Sequence, residues 1–121
     1  MQYVRGTTSF YDKLEVLTMD SDYSATNAIK IYKKMEKCTF IVPSEQSLKR
    51  GYNGKLNIAQ GTNDIVNSTN FVNAANTVLG IPIVNDYNVL EHDICASVNW
   101  QLTQKLNRYR ETAYTAFLQD N

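Results

Sequence analysis

The sequence predicts a mainly α-helical fold: a small helical domain with a long C-terminal helix and at most one short β-hairpin. Three observations support this prediction. Apolar residues recur at steps of three and four through residues 86–118, as on one face of an α-helix. Gly80 and Pro82 mark a clear helix end, and the best strand candidate, residues 38–42, is short. An α+β fold is the alternative.

The first third of the chain predicts an extended arm followed by two helices. Residues 1–8 alternate weakly and favour an extended arm or a short edge strand. Ser9 can cap a first helix, with Asp12 as its reciprocal partner three residues later. The rival interpretation is a strand through residues 13–16. A second helix is predicted from Ser24 to about residue 37, with its lysines near the C-terminal end, where they favour the helix dipole.

The middle of the chain predicts two short strands. Residues 38–42 are apolar and β-branched and are ended by Pro43. Leu56 and Ile58 alternate after a turn and could pair with that strand as a hairpin. A lone hairpin has only marginal stability in water, so it would have to pack against a helix or pair with another strand.

A third helix is predicted between Gly61 and Gly80. Its second half is the stronger helix former, because the Asn, Ser and Thr residues of the first half compete for the backbone. Gly80 fits the left-handed position after a helix, and Pro82 prevents continuation. The apolar connector at 81–84 would let this helix and the last one fold back as an antiparallel pair.

The predicted C-terminal helix carries a continuous apolar stripe. Its members are Leu90, Ile94, Val98, Leu102, Leu106, Tyr109, Ala113 and Phe117. About 30 helical residues would span roughly 45 Å. Because this exceeds the width of so small a domain, part of the stripe would have to be covered by something else.

Composition predicts one globular domain covering residues 1–121. The hydrophobic fraction is 43% and the charged fraction 20%, with 12 basic and 12 acidic residues. A formal charge of zero removes the long-range attraction to nucleic acid or anionic membranes and eases association. No export signal and no membrane span is expected, and two distant cysteines do not form a disulfide framework. We expect a location in the cytoplasm, or within a virion in a host cell.

The sequence predicts neither an enzyme nor a metal or cofactor site. His92 is the single histidine, and on a helix it could share a metal with Cys95 and Glu91, but zinc needs further ligands that are absent nearby. Nucleophile elbows and glycine-rich phosphate loops are also missing.

The aromatic residues near the C-terminus predict a protein–protein interface. The residues are Tyr87, Trp100, Tyr114 and Phe117. Tyr87, Trp100 and Tyr114 lie off the main stripe, and exposed aromatics on such a second helical face are typical of interface hot spots. The resulting hypothesis is a non-enzymatic assembly or accessory protein that forms a homo-oligomer or joins a larger assembly through its C-terminal helix. The Asn- and Tyr-rich composition, typical of AT-rich genomes, favours a phage or viral structural component of the virion.

A basic–aromatic cluster supports the alternative hypothesis, a nucleotide- or nucleic-acid-binding module. Lys105, Arg108 and Arg110 surround Tyr109, and this combination could provide phosphate contacts and base stacking. The neutral net charge argues against it.

Overall fold

The computed structural model describes residues 2–40, 48–61, 65–89 and 93–119. Within these residues, four helices accompany a three-stranded mixed sheet of order β1-β2-β3. The helices are α1 (Thr8–Thr18), α2 (Ala25–Met35), α3 (Ile65–Leu79) and α4 (Ala113–Phe117). The strands are β1 (Glu36–Cys38), β2 (Leu56–Gln60) and β3 (Gln101–Thr103), and a 3-10 turn, Ser21–Tyr23, joins α1 to α2.

Local capping sets the ends of the first two helices. The side chain of Thr7 accepts a hydrogen bond from the backbone N–H of Phe10, so Thr7 and not the predicted Ser9 caps α1, which begins two residues earlier than predicted. Met19 ends α1 in the left-handed region, with φ of 53°. Ser24 caps α2 as predicted, through the N–H of Asn27. Both helices are confirmed.

The sheet does not contain the predicted hairpin. β1 runs parallel to β2, with Glu36 opposite Leu56 and Cys38 opposite Ile58, and β2 pairs antiparallel with β3. The connection from β1 back to the start of β2 requires glycine at residue 54, because a Cβ atom there would lie 2.2 Å from the backbone carbonyl of Met35. The prediction failed because alternation identifies a strand but not its partner. Residues 41–47, which include part of the predicted strand, lie outside the described residues.

The end of the third helix is confirmed. α3 stops at Leu79, and Gly80 follows with φ of +66°. Beyond it, the connector forms an isolated bridge between Ile83 and Ala96.

The long C-terminal helix is wrong, and with it the mainly α-helical fold class. Gln101 and Thr103 are buried on one face of β3 with Leu102 between them, which is the period of a strand. A turn follows in which Arg108 has φ of 66°, a conformation that no α-helix accommodates. Val, Asn and Thr are weak helix formers, so pairing with β2 outweighs the helical spacing. Only the five residues of α4 are helical in this segment as described.

The apolar core is small. Tyr3, Leu56 and Ile58 form its buried centre. Four half-buried side chains pack against it: Tyr32, Phe40, Ala116 and Phe117. Many of the other buried side chains are polar or charged, so polar contacts hold much of the interior together. In the part of the chain that the structure describes, no helix is long and apolar enough to cross a membrane.

Candidate functional site

A buried network of charged and amide side chains joins the sheet to the N-terminal arm and to two loops. Its charged members are two arginines and two carboxylates from four separate segments, each at most 4% exposed: Arg5, Glu36, Arg50 and Asp86. Two fully buried amides, Asn88 and Gln101, connect them. Because buried charges are costly unless they are paired, this network decides whether the four segments can pack.

The first pair joins the N-terminal arm to β1. Arg5 donates from Nε to Oε1 of Glu36 at 2.8 Å and from Nη2 to Oε2 at 2.5 Å. The phenol of Tyr3 donates to the same carboxylate. Arg5 also donates from Nη1 to the carbonyl of Asn88 at 2.9 Å. The bidentate contact between Arg5 and Glu36 is the strongest form of an arginine–carboxylate pair.

The second pair joins the turn before β2 to the loop after α3. Arg50 donates from Nε and Nη2 to the two oxygens of Asp86, at 2.7 and 2.5 Å. Gln101 accepts from Nη2 of Arg50 at 2.5 Å and donates to Asp86 at 2.7 Å. Nη1 of Arg50 makes no hydrogen bond within the described part but lies 3.6 Å from Glu36, which links the two pairs.

The ionisation of these groups follows from their pairing. Burial by itself would raise the pKa of Asp86, but the hydrogen bonds and charge of Arg50 outweigh it and hold that pKa below its usual value. Burial likewise opposes the charge of Arg50, whose pKa nevertheless stands above its usual value because of Asp86. Burial first, and then the charge of Glu36, raise the pKa of the Tyr3 phenol far above its ordinary range. The network is therefore a charged, internally compensated structure, and its carboxylates are engaged rather than available as general bases.

A second feature is an open cleft of about 580 Å³ between the sheet, the turn after β3 and α4. Three lysines line this cleft, which we call the lysine cleft: Lys37 on β1, Lys55 before β2 and Lys105 after β3. Its apolar lining residues are Leu106, Ala116 and Phe117.

The predicted interface residues lie on different elements. Tyr87 sits in the loop after α3, half-buried, where its hydroxyl donates to the carbonyl of Tyr3 and accepts from the N–H of Gln101. Trp100 precedes β3, while Tyr114 and Phe117 lie on α4. The helical face that was to unite them does not exist. Trp100 is 39% exposed and Tyr114 61% exposed.

The predicted basic–aromatic cluster lies on a turn, not on a helix. Residues 105–109 are closed by a hydrogen bond from the N–H of Lys105 to the carbonyl of Tyr109, 2.9 Å long. Arg108, Tyr109 and Arg110 are exposed there, and Lys105 turns toward the lysine cleft. Glu91 and His92 of the metal interpretation lie outside the described residues. Among those described, no three metal-binding side chains come together.

Sequence reasoning missed the buried network. Arg5 and Glu36 are 31 residues apart in the sequence, and Arg50 and Asp86 are 36 apart. No local sequence pattern can therefore predict either pair. The weak alternation of Tyr3 and Arg5 correctly indicated an extended arm, since the N–H of Tyr3 donates to Gln101 of β3. No local pattern indicated that this arm would carry a buried charge.

Comparison with solved structures shows what this fold is similar to. A pyridoxine 4-oxidase from Mesorbium loti matches with a TM-score of 0.76 and 21% identity, over 98% of this chain and 22% of the oxidase. A formate oxidase from Aspergillus oryzae, studied for the modification of its FAD, matches with a TM-score of 0.70 and 13% identity, over 98% of this chain and 20% of the oxidase. No family model and no curated protein matches the sequence.

These matches correct the functional hypothesis. The chain has the fold of one segment of two oxidases and spans about a fifth of their length. The prediction of an assembly protein of viral or virion type is therefore wrong, and so is the alternative of a binding module built on a basic helix. Composition suggested the viral origin, but an AT-rich codon bias says nothing about mechanism.

Proposed function

We propose that this chain is a structural segment of a flavin-dependent oxidase, in which it supports an active site that other segments supply. The observation that carries the proposal is the likeness to two oxidases over 98% of the chain. The description of the formate oxidase names FAD, which gives the cofactor class.

The uncovered surface of α3 supports a larger protein. No described helix or strand packs extensively against α3. Three of its large apolar side chains lie on one side of the helix and are between 69% and 77% exposed: Phe71, Val78 and Leu79. Full burial of three such side chains would contribute on the order of 5 kcal/mol. A helix of 15 residues rich in Asn and Thr is marginal by itself, so we expect further polypeptide to cover this face.

The chain's own residues do not fit the flavin. A dinucleotide-binding loop needs closely spaced glycines at the start of a helix, and the five glycines here are scattered. The buried arginines are already paired with Glu36 and Asp86, and neither guanidinium is exposed to a phosphate group from outside. We therefore assign this chain a supporting role: the arginine network fixes the arm, the sheet and the loop after α3 relative to one another. The prediction that the chain alone is not an enzyme stays a prediction.

The decisive experiment isolates the native protein from the cells that make it, with an antibody against α1. Its intact mass and its visible flavin absorption are then measured. We expect a polypeptide or complex several times heavier than 13.8 kDa that carries bound flavin. A flavin-free species of 13.8 kDa would contradict the proposal.

A matched pair of variants tests whether α3 is the covered face. Phe71→Asp places a charge on the apolar face and should prevent accumulation of the flavin-loaded protein, because a buried unpaired charge is costly. Asn73→Asp introduces the same charge at an exposed polar position of the same helix and should leave flavin content unchanged. Equal flavin content in both variants would show that α3 is not covered.

We also place the whole protein in the cytoplasm. Cys38 and Cys95 are free thiols, which is typical of proteins kept in a reducing compartment.

A further inference from the structure

The lysine cleft has the charge of an anion-binding site. Lys37, Lys55 and Lys105 come from three separate elements and line the same cavity. In the described part of the chain, none of the three forms an ion pair with a carboxylate. Three like charges around one cleft repel one another, and an anion between them relieves that repulsion.

Glu111 is the acidic residue of the cleft lining, and it is already engaged. It is 2% exposed, and its oxygens accept hydrogen bonds from both the backbone and the side-chain N–H groups of Asn57, the latter at 3.1 and 3.0 Å. Its charge offsets one lysine, which leaves a local excess of two positive charges. A phosphate monoester, with a charge near −2 at neutral pH, matches that excess.

The apolar residues of the lining indicate that the ligand also has an apolar part. Leu106, Ala116 and Phe117 line the same cavity of about 580 Å³ as the three lysines. This volume is in the range of small-molecule pockets and far larger than a phosphate ion requires. A lysine recognises phosphate as a compact point charge, so the three together need no rigid fork.

We propose that the lysine cleft binds a small organic phosphate monoester, with the phosphate among the three lysines and the organic group against Leu106 and Phe117. This inference does not depend on the proposed oxidase function, because it uses only the cleft of this chain. A free phosphate ion shares the same chemistry, and the experiment separates the two.

The test titrates the chain with phenyl phosphate, inorganic phosphate and phenol by calorimetry. We expect phenyl phosphate to bind more tightly than inorganic phosphate, and phenol not to bind. Replacing all three lysines (K37Q, K55Q and K105Q) should weaken both phosphates by about tenfold or more, because each charge-assisted contact is lost. Circular dichroism checks that the variant is folded.

A matched control removes three lysines from α2 instead. The triple variant K30Q, K33Q and K34Q loses the same charge at exposed positions outside the cleft. Its affinity for phenyl phosphate should stay within about twofold, as expected for screened surface charges. Equal losses in the two triple variants would overturn the site, because binding would then follow net charge.

A third variant tests the apolar wall. Leu106→Ser should lower the affinity for phenyl phosphate to that of inorganic phosphate and leave inorganic phosphate unchanged. If wild-type chain binds inorganic phosphate as tightly as phenyl phosphate, the organic ligand is refuted. If neither phosphate binds at millimolar concentration, the whole inference is refuted.

Discussion

Removing the carboxylate of Asp86 should destabilise the fold strongly. This side chain accepts four hydrogen bonds, two from Arg50 at 2.7 and 2.5 Å, one from Gln101 at 2.7 Å and one from the N–H of Asn88 at 2.9 Å. Asp86→Ala would leave the guanidinium of Arg50 buried without its main partner, and breaking a buried pair in this way costs about 3–5 kcal/mol. Glu36 remains 3.6 Å from Nη1 of Arg50, so we expect a value near the lower end, about 3 kcal/mol.

Urea unfolding followed by circular dichroism measures this free energy directly. Asp12→Ala removes an exposed carboxylate from α1 and serves as the control, with an expected change within about 0.5 kcal/mol. The double variant Arg50→Met with Asp86→Leu removes both charges and should recover much of the lost stability. A loss below about 1 kcal/mol for Asp86→Ala, or a double variant no more stable than the single one, would refute the reasoning.

Three further predictions follow from single side chains or glycines. The folded-state pKa of Asp86 is lowered from its ordinary 3.8. The stabilisation by its carboxylate is therefore complete above that ordinary value and is lost as the pH falls through the folded-state pKa. Asp86→Asn should reduce this loss of stability at low pH, measured by urea unfolding between about pH 2 and 5. Gly54→Ala should lower the stability in thermal unfolding more than Gly80→Ala, because a Cβ at residue 54 would lie 2.2 Å from the backbone of Met35. Nothing lies within 4 Å of a Cβ at Gly80, so only the left-handed φ penalty of about 1 kcal/mol applies there. The reverse order of stabilities would contradict the packing. Ile58→Ala should lose about 2–5 kcal/mol in urea unfolding, because Ile58 is fully buried in the core, and a loss under about 1 kcal/mol would show that the site is not packed as described.

Local signals predicted the first three helices. Ser24 caps α2, and Gly80 follows α3, each acting within one turn of the helix end it fixes. Such signals act over three or four residues, so they can be recognised without knowing the rest of the fold. The buried state of Leu56 and Ile58 was also consistent with their alternation.

The C-terminal third shows why the remainder could not be predicted. In a sequence that is 43% hydrophobic, apolar residues fall at helical spacing without forming a helix. Gln101 and Thr103 become a strand because β2 offers backbone partners about 40 residues earlier in the chain. The left-handed turn at Arg108 then separates this strand from α4.

The sequence alone thus determined where α2 begins and where α3 ends, because capping is a contact between near neighbours. The tertiary structure alone decided the strand pairing, the Arg5–Glu36 and Arg50–Asp86 pairs and the lysine cleft. Each of these depends on residues that are distant in the chain and become neighbours only after folding, when burial makes their pairing energetically necessary.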